Sequence, residues 1–224
     1  MDKAGEVFVS FPVMWAPGLG DELENWEKWL RGEEFIENSS AAPKLEYTDP
    51  LFRRRLSQIS KMTIHVVHLL LEKYNFDKET KIVFVSFRGE IAREFSVNME
   101  IAAENIVLPA GFSLSVFNTP VALAAIAFGL TGGYSAVYPS KQDFSSALKT
   151  AVAPVLCGDE KKIVFVYADE LVPECYGETG TPLAFAAVIS SEKMAGFVKL
   201  NDFIDEKIPE AFLKRLVEAG GRNV

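Results

Sequence analysis

The chain has 224 residues, of which 49% are hydrophobic and 24% are charged. This length suits one domain that buries a core without disulfides or metals, and the composition excludes a disordered, collagen-like or coiled-coil chain. The net charge of −8 disfavours binding to nucleic acid or to anionic lipid. We therefore expect a single folded domain over residues 1–224.

Short apolar runs alternate with helix-length segments along the chain. Their hydrophobicity is continuous, which is typical of strands that are covered on both faces. The predicted strands are Val7–Phe11, Ile82–Phe87, Phe112–Phe117, Ile163–Ala168 and Leu183–Ile189. The predicted helices are Glu22–Arg31, Pro50–Tyr74, Glu90–Ala103, Pro120–Leu130, Asp143–Leu156 and Pro209–Ala219. This order predicts a layered α/β domain.

The middle of the chain lacks charge over 36 residues, between Glu104 and Lys141. Its longest strictly apolar run, Val121–Leu130, is shorter than the roughly 20 residues of a membrane span, so no span is predicted. The predicted helix Pro120–Leu130 is apolar all round, and we expect it to be enclosed on every side. It follows the predicted strand Phe112–Phe117 through a sharp turn, an elbow of the kind that presents a nucleophile or a ligand.

The cysteines and histidines do not indicate a metal or a cofactor. Cys157 and Cys175 show no metal-ligand spacing, and the N-terminus lacks the pattern of a signal peptide, so a cytoplasmic location is predicted. His65 and His68 share one side of a predicted helix, where they can either chelate a metal or pack beside the core. We expect packing, since a stable zinc site needs more ligands.

Several short motifs follow one another in a characteristic order. They are Arg54-Arg55-Leu56-Ser57, Ser86-Phe87-Arg88-Gly89-Glu90, the stretch from Ala110 to Asn118, and Ala168-Asp169-Glu170 with Pro173 after it. Together they resemble the stand-alone beta-ketoacyl synthase N-terminal-like family of the thiolase superfamily. The resemblance implies one half of a ketosynthase: a thiolase-like layered fold with a mixed sheet and a buried central helix. Such proteins are associated with aryl polyene, polyketide or fatty-acid gene clusters and are often described as chain-length-factor-like.

The elbow departs from the pattern of an active condensing enzyme. The family's active members carry cysteine at the elbow, whereas this chain reads Ser115-Val116-Phe117-Asn118-Thr119-Pro120. Phe117 stands where the family usually shows histidine, and two further catalytic histidines belong to a C-terminal half that lies outside this chain. An alcohol at its free pKa is a weak nucleophile, so we expect no catalytic residue and no enzymatic activity of the chain alone.

Three functions remain open at this stage. The resemblance favours a non-catalytic, chain-length-factor-like subunit that forms a heterodimer with a full-length beta-ketoacyl-[acyl carrier protein] synthase. In that case Ser115, Phe117, Asn118 and Thr119 either wall an acyl tunnel or simply satisfy backbone groups at a helix cap. The alternatives are an acyl transferase or hydrolase that uses Ser115 or Thr119, and a homodimeric acyl-binding protein.

Two charged clusters are candidates for contacts. Arg53, Arg54 and Arg55 are predicted in the first turn of a helix, where the helix dipole disfavours cations. They either pair with acidic neighbours of the same fold or contact an acyl carrier protein or partner subunit. Asp169 and Glu170 follow a predicted strand. They either form a paired-carboxylate site or are exposed to solvent at the end of that strand.

The resemblance also predicts an interface. In thiolase-like dimers the strand that leads to the elbow lies between the subunits, and that strand is Phe112–Phe117 here. Leu114 and Val116 are therefore predicted interface residues. We expect an association, with a synthase or with a second copy, that buries about 1,200 Å² or more in total.

Overall fold

In the computed structural model, which describes residues 5–74, 76–177 and 180–221, seven strands form one mixed sheet. The strands are β1 (Phe8–Val9), β2 (Val13–Trp15), β3 (Ile82–Val85), β4 (Tyr134–Val137), β5 (Lys162–Asp169), β6 (Leu183–Ser190) and β7 (Val198–Lys199). The helices are α1 (Leu23–Arg31), α2 (Pro50–Arg53), α3 (Gln58–Tyr74), α4 (Ile91–Glu104), α5 (Pro109–Ser113), α6 (Thr119–Phe128), α7 (Phe144–Cys157) and α8 (Pro209–Gly221). The predicted mixed α/β architecture is confirmed.

The sheet has the order β4-β3-β5-β6-β1-β7, and β2 pairs with β6 beside β1. Strands β4, β3 and β5 are parallel, and β6 is antiparallel to β5 along its whole length. The carboxyl ends of the three parallel strands consequently lie at the same edge of the sheet. That edge holds the residues of the candidate site described below.

Successive side chains of the central strands enter two different cores. Phe165 and Phe185 belong to the core formed with α1, α7 and α8, whereas Val166 and Ala186 belong to the core formed with α3 and α6. The sheet therefore lies between two helical layers. Burial on both faces explains why these strands read as continuous apolar runs.

The first predicted strand, Val7–Phe11, is shorter in the structure, where β1 covers Phe8–Val9. Phe8 pairs with Ser190 in β1, and β2 pairs with β6 farther along the same strand. Between them the Val188 N–H donates to the Ser10 hydroxyl at 2.9 Å instead of to a backbone carbonyl. Pro12, just after the predicted strand, has no N–H to donate to a ladder, and β2 starts separately at Val13.

The single predicted helix Pro50–Tyr74 is also divided. Asp49 caps α2 as expected, accepting hydrogen bonds from the backbone of Leu51 and Phe52. The chain then turns before α3, where the Ser57 hydroxyl accepts the Ser60 N–H at 3.1 Å. Such a serine cap starts a new helix, so the local helical pattern missed the break.

No strand forms at Phe112–Phe117, so this prediction is wrong. Pro109 starts the short helix α5, which ends at Ser113. The Ser113 hydroxyl donates to the Ala110 carbonyl at 3.3 Å, and the Ser115 hydroxyl donates to the Phe112 carbonyl at 2.9 Å. These local bonds hold the apolar segment in turns. Leu114 and Val116 therefore lie in a turn region, not on a strand.

The predicted enclosure of the Pro120–Leu130 helix is wrong as well. Helix α6 buries Val121 and Ala124 against the α3 side of the sheet, but Ile126 is 71% exposed. Helix α7 buries one side instead: its Phe144, Leu148 and other core residues pack among the strands, α1 and α8, while Lys149 and Leu156 are exposed. Uniform hydrophobicity thus marks an unpartnered surface here.

None of the helices in the part of the chain that the structure describes is long and apolar enough to cross a membrane.

Candidate functional site

The motifs of the sequence meet at the carboxyl edge of the parallel strands. Asp169 ends β5, and Ser86 follows β3 directly. The Ser86 hydroxyl donates to Asp169 Oδ1 at 2.6 Å, and the Tyr167 hydroxyl donates to Oδ2 at 2.7 Å. The backbone N–H groups of Phe87 and Arg88 donate to the same carboxylate at 3.1 Å. Asp169 thereby fixes the loop that joins β3 to α4.

Glu170 connects the beginnings of two helices. Its Oε2 accepts the Ile59 N–H of α3 at 3.2 Å, and its Oε1 accepts the Ala92 N–H of α4 at 3.0 Å. The unpaired N–H groups of a helix N-terminus favour a carboxylate at this position. Asp169 is 6% exposed and Glu170 is 1% exposed, so the solvated strand end considered from the sequence is wrong.

A third buried carboxylate, Glu90, lies just before α4. Its Oε1 accepts hydrogen bonds from the hydroxyls of Ser57 at 2.8 Å and Ser60 at 2.5 Å, and its Oε2 accepts from Arg93 Nε at 3.2 Å. The sequence analysis quoted Glu90 and Ser57 within motifs but missed their contact. No local signal brings them together, since 33 positions separate them in the chain.

Burial raises the pKa values of all three carboxyl groups. For Glu170 burial raises the pKa to about 7; the Ala92 N–H opposes this rise and the Glu90 charge adds to it. Burial also raises the pKa of Glu90, against the hydrogen bonds from Ser60 and Ser57. Burial likewise raises the pKa of Asp169, against the donors at Ser86 and Tyr167. These carboxylates are engaged as hydrogen-bond acceptors that join structural elements.

The predicted elbow residues lie beside this cluster. Phe117 packs its ring 6.3 Å from that of Phe84, and a Cβ at Gly89 would lie 2.7 Å from Phe117 Cδ2. Gly89 has φ +59°, a conformation that glycine adopts without strain. Asn118 donates from Nδ2 to the Tyr134 hydroxyl at 3.0 Å, and Thr119 is buried at the start of α6. The structure thus joins the elbow motif to the Ser86–Glu90 motif.

The strand-to-helix elbow itself is at the junction of β4 and α7. There Lys141 and Gln142 are both left-handed, with φ +54° and +56°, which is a strained arrangement for residues with side chains. Asp143 then caps α7 by accepting the Ser145 N–H at 3.0 Å. Residues 138–145 read Tyr-Pro-Ser-Lys-Gln-Asp-Phe-Ser and contain neither cysteine nor histidine. The sequence analysis missed this elbow because it missed β4.

Two cavities open at this end of the molecule. One of about 260 Å³ lies between the β4–α7 elbow and the carboxylates, with Tyr138, Gln142, Arg88 and Lys207 in its lining. Another of about 630 Å³ lies between the beginnings of α3 and α4 and is lined in part by Glu170. Ser115, Phe117, Asn118 and Thr119 do not line either cavity. Their predicted place in an acyl tunnel is therefore still untested.

The three arginines occupy different positions from those predicted. Arg53 ends α2 and donates from Nη1 to the Leu45 carbonyl at 3.1 Å. Arg54 and Arg55 lie in the turn that follows and are exposed. Because α2 has only one turn and α3 begins at Gln58, the predicted placement of all three arginines in the first turn of one long helix is wrong.

The two histidines are engaged by neighbouring side chains. His65 contacts the Tyr47 hydroxyl and Asp21 Oδ2, each at 3.2 Å, and the His68 ring stacks on Tyr47 at 3.6 Å between centroids. Among the described residues, no group of three or more His, Cys, Asp or Glu is arranged to hold a metal.

A large apolar surface lies on α4, α5 and the turns after them. Its large hydrophobic side chains are between 38% and 58% exposed. They are Met99, Ile101, Ile106, Val107, Leu108, Phe112 and Val116. Leu114 is half-buried in the same region. Exposed large hydrophobic side chains that are concentrated in one part of a protein are typical of an interaction site.

The family model for the beta-ketoacyl synthase N-terminal domain matches residues 26–211. Because the match covers most of the chain, the chain belongs to this family. A search of curated proteins found no match.

Solved structures support the same fold. The chain is similar to a chain of the ketosynthase (ApeO) in complex with its chain length factor (ApeC) from Xenorhabdus doucetiae, with TM-score 0.75 and 22% identity over 95% of this chain and 92% of that chain. It is also similar to the ishigamide ketosynthase/chain length factor, with TM-score 0.62 and 14% identity over 83% of this chain and 62% of that chain. A third structure, AntDE:AntF, a type II acyl-carrier protein in complex with its ketosynthase, gives TM-score 0.61 and 15% identity over 84% and 64% of the two chains. This chain thus spans less than two thirds of the second and third neighbours. The TM-scores establish the thiolase-like ketosynthase fold.

Proposed function

We propose that the chain is a non-catalytic, chain-length-factor-like subunit that pairs with a full-length beta-ketoacyl-[acyl carrier protein] synthase. The observation that carries this proposal is the chemistry of two segments beside the carboxyl edge of the sheet. Neither the Ser115–Pro120 segment nor the β4–α7 elbow carries a cysteine or histidine, although both belong to a ketosynthase-type fold. Without a thiolate the fold has no strong acyl acceptor there.

The apolar surface on α4 and α5 supports a partner of matching character. We expect a stable interface with a ketosynthase subunit to bury about 1,200 Å² or more in total. The exposed Arg54 and Arg55 are then available for the acidic surface of an acyl carrier protein. An aryl polyene, polyketide or fatty-acid pathway and a cytoplasmic location remain predictions.

The test is co-expression with a ketosynthase encoded nearby in the native genome. We expect the two chains to elute together at micromolar concentration, and the length of the acyl products, measured by mass spectrometry, to change when this chain is omitted. Two chains that do not associate, with products that are unaffected by its omission, would contradict the proposal.

A matched pair of variants localises the interface. Val116→Asp places a charge on the apolar surface, where Val116 is 46% exposed; Met194→Asp changes a residue that is 50% exposed near the other edge of the sheet. We expect Val116→Asp to weaken association at least about 30-fold, or ~2 kcal/mol, because an unpaired carboxylate is buried. Met194→Asp leaves the affinity unchanged. Equal effects of the two variants on the affinity would show that this surface is not the interface.

The contacts do not favour an enzyme that acts alone through Ser115 or Thr119. The Ser115 hydroxyl donates to the Phe112 carbonyl, Thr119 is buried, and both histidines are held on α3 by Tyr47. Intact-mass spectrometry after incubation with acyl thioesters separates the functions. A covalent acyl adduct on the chain is required for the enzyme, and no adduct is expected for the partner subunit.

A further inference from the structure

Helices α4 and α5, residues 91–113, form an arm whose attachment to the rest of the molecule is concentrated at its beginning. Of the side chains in the 14-residue helix α4, only Val97 is buried among the described residues. Met99 and Ile101, farther along α4, are 53% and 38% exposed. Since burial supplies most of the stability of a protein helix, the contacts of its first turn set the position of this arm.

Those first-turn contacts depend on two carboxylates. Glu170 accepts the Ala92 N–H at 3.0 Å, while Glu90 accepts from Arg93 Nε at 3.2 Å. Arg93 also donates from Nη2 to the Arg55 carbonyl at 2.6 Å. The ring of Phe95 lies 5.9 Å from that of Tyr176.

The second oxygen of Glu170 is bound to the core of the molecule. It accepts the N–H of Ile59, which is fully buried in α3 against the sheet. One carboxylate therefore bridges a helix that is fixed in the core and a helix that is mostly exposed. Helix α3 is held by many buried side chains besides this bond, whereas among the described residues α4 buries only Val97.

We propose that Glu170 is a positioning residue that holds the arm in its orientation for the partner subunit and makes this orientation sensitive to protonation. The partner in this statement rests on the proposed function, whereas the effect on the arm does not. Several charged groups surround Glu170 from the elements packed around it. They are Glu90 just before α4, Arg93 and Glu100 on α4, Lys61 on α3, Arg88 in the β3–α4 loop, and Asp169 and Glu174 on its own segment.

The direction of the pH effect follows from the pKa of Glu170, which burial raises to about 7. When the arm is detached and the carboxyl is hydrated, its pKa returns towards the ordinary value of 4.5. The docked arm then binds more protons than the detached arm, so docking weakens as the pH rises through 7. We expect the arm to be held more firmly at pH 6 than at pH 8.

Hydrogen exchange of the isolated chain, followed by mass spectrometry, tests this role. After correction for intrinsic exchange rates, we expect the protection of residues 92–104 to fall about fivefold to tenfold between pH 6 and pH 8. Glu170→Gln resembles the protonated carboxyl, with one acceptor oxygen and one donor, so it is expected to keep the protection that the wild type shows at pH 6 and to remove the pH dependence. The control Glu174→Gln changes an exposed carboxylate of the same cavity and leaves both unchanged.

A pH dependence that persists in Glu170→Gln overturns the role of this residue. If that variant does not fold, the pH dependence of the wild-type chain tests the proposal. A loss of protection at pH 8 that is confined to residues 91–113 supports the positioning role of Glu170, and an equal loss in α7 overturns it. The affinity for the ketosynthase at the two pH values is measured separately. A chain that shows the exchange effect but binds no ketosynthase refutes the proposed function and leaves the positioning role intact.

Discussion

Asp169 shows how a single buried carboxylate organises a loop through hydrogen bonds. It accepts from the hydroxyls of Ser86 and Tyr167 and from the backbone of Phe87 and Arg88, while its side chain is closed to water. Replacement by a group that cannot accept all of these bonds leaves donors unsatisfied in the interior, and each such donor is costly.

We therefore expect Asp169→Asn to destabilise the fold by about 2–3 kcal/mol, because the amide nitrogen cannot accept hydrogen bonds from the donors that surround it. Urea unfolding followed by circular dichroism measures the change. Asp159→Asn, at an exposed position after α7, is the control and is expected to change stability by less than about 0.5 kcal/mol. A similar loss in both variants would show that the Asp169 network does not stabilise the fold.

The stability that His65 contributes to the fold is expected to rise with pH, whereas the docking of the arm at Glu170 weakens with pH. Burial lowers the pKa of His65, and Asp21 partly opposes this. The unfolded chain then binds more protons than the folded one, so stability is present above the ordinary histidine pKa of 6.5 and is lost as the pH falls below it. We expect the difference in melting temperature between wild type and His65→Gln to shrink from pH 8 to pH 5. A constant difference would refute this assignment.

The sequence pattern located many of the site residues but not their surroundings. Asp169 and Glu170 were expected at a strand end, and they are there. Their burial was not predictable, because the groups that bind Glu170 lie 111 and 78 positions away in the chain, at Ile59 and Ala92. Contacts of this separation arise from the packing of whole elements, which local periodicity does not contain.

At the scale of elements, the sequence predicted five of the helices and three of the long strands closely. It failed where an apolar segment had two physical explanations. Parts of the segments Phe112–Phe117 and Pro120–Leu130 are exposed to solvent, such as Phe112 and Ile126. A pattern of hydrophobicity does not distinguish an exposed apolar side chain from a core residue. Strand β4 was missed because its sequence, Tyr-Ser-Ala-Val, is short and only partly apolar.

The contrast between α7 and α4 gives a prediction about elements. Leu148 in α7 is fully buried, so Leu148→Ala is expected to cost about 2–5 kcal/mol of stability. Met99 in α4 is 53% exposed, so Met99→Ala is expected to change stability by less than about 0.5 kcal/mol and to weaken binding to the ketosynthase instead. Chemical denaturation and a binding titration on the same samples measure both effects. A large stability loss in Met99→Ala would show that α4 belongs to the core.

For the whole molecule, the apolar surface predicts association in the absence of a ketosynthase. The arm and the exposed side of α6 present hydrophobic side chains to water, and such surfaces self-associate with increasing concentration. We expect the apparent mass from light scattering to rise with concentration, and Val116→Asp to reduce this rise while Met194→Asp does not. A wild-type chain that stays monomeric at high concentration would contradict an interface at this surface.

Strand β6 also has a consequence for how the molecule is made. It pairs with β1, β2 and β5, and the bond between Val188 and Ser10 joins residues 178 positions apart. At a synthesis rate of about 5–20 residues per second, the first strands wait roughly 10–35 seconds on the ribosome before their neighbour exists. During that time Val7, Val9 and Trp15, all buried in the final fold, remain open to nonspecific contacts. Folding of the sheet is therefore a late, long-range event, and the nascent chain is a natural client for chaperones that bind apolar segments.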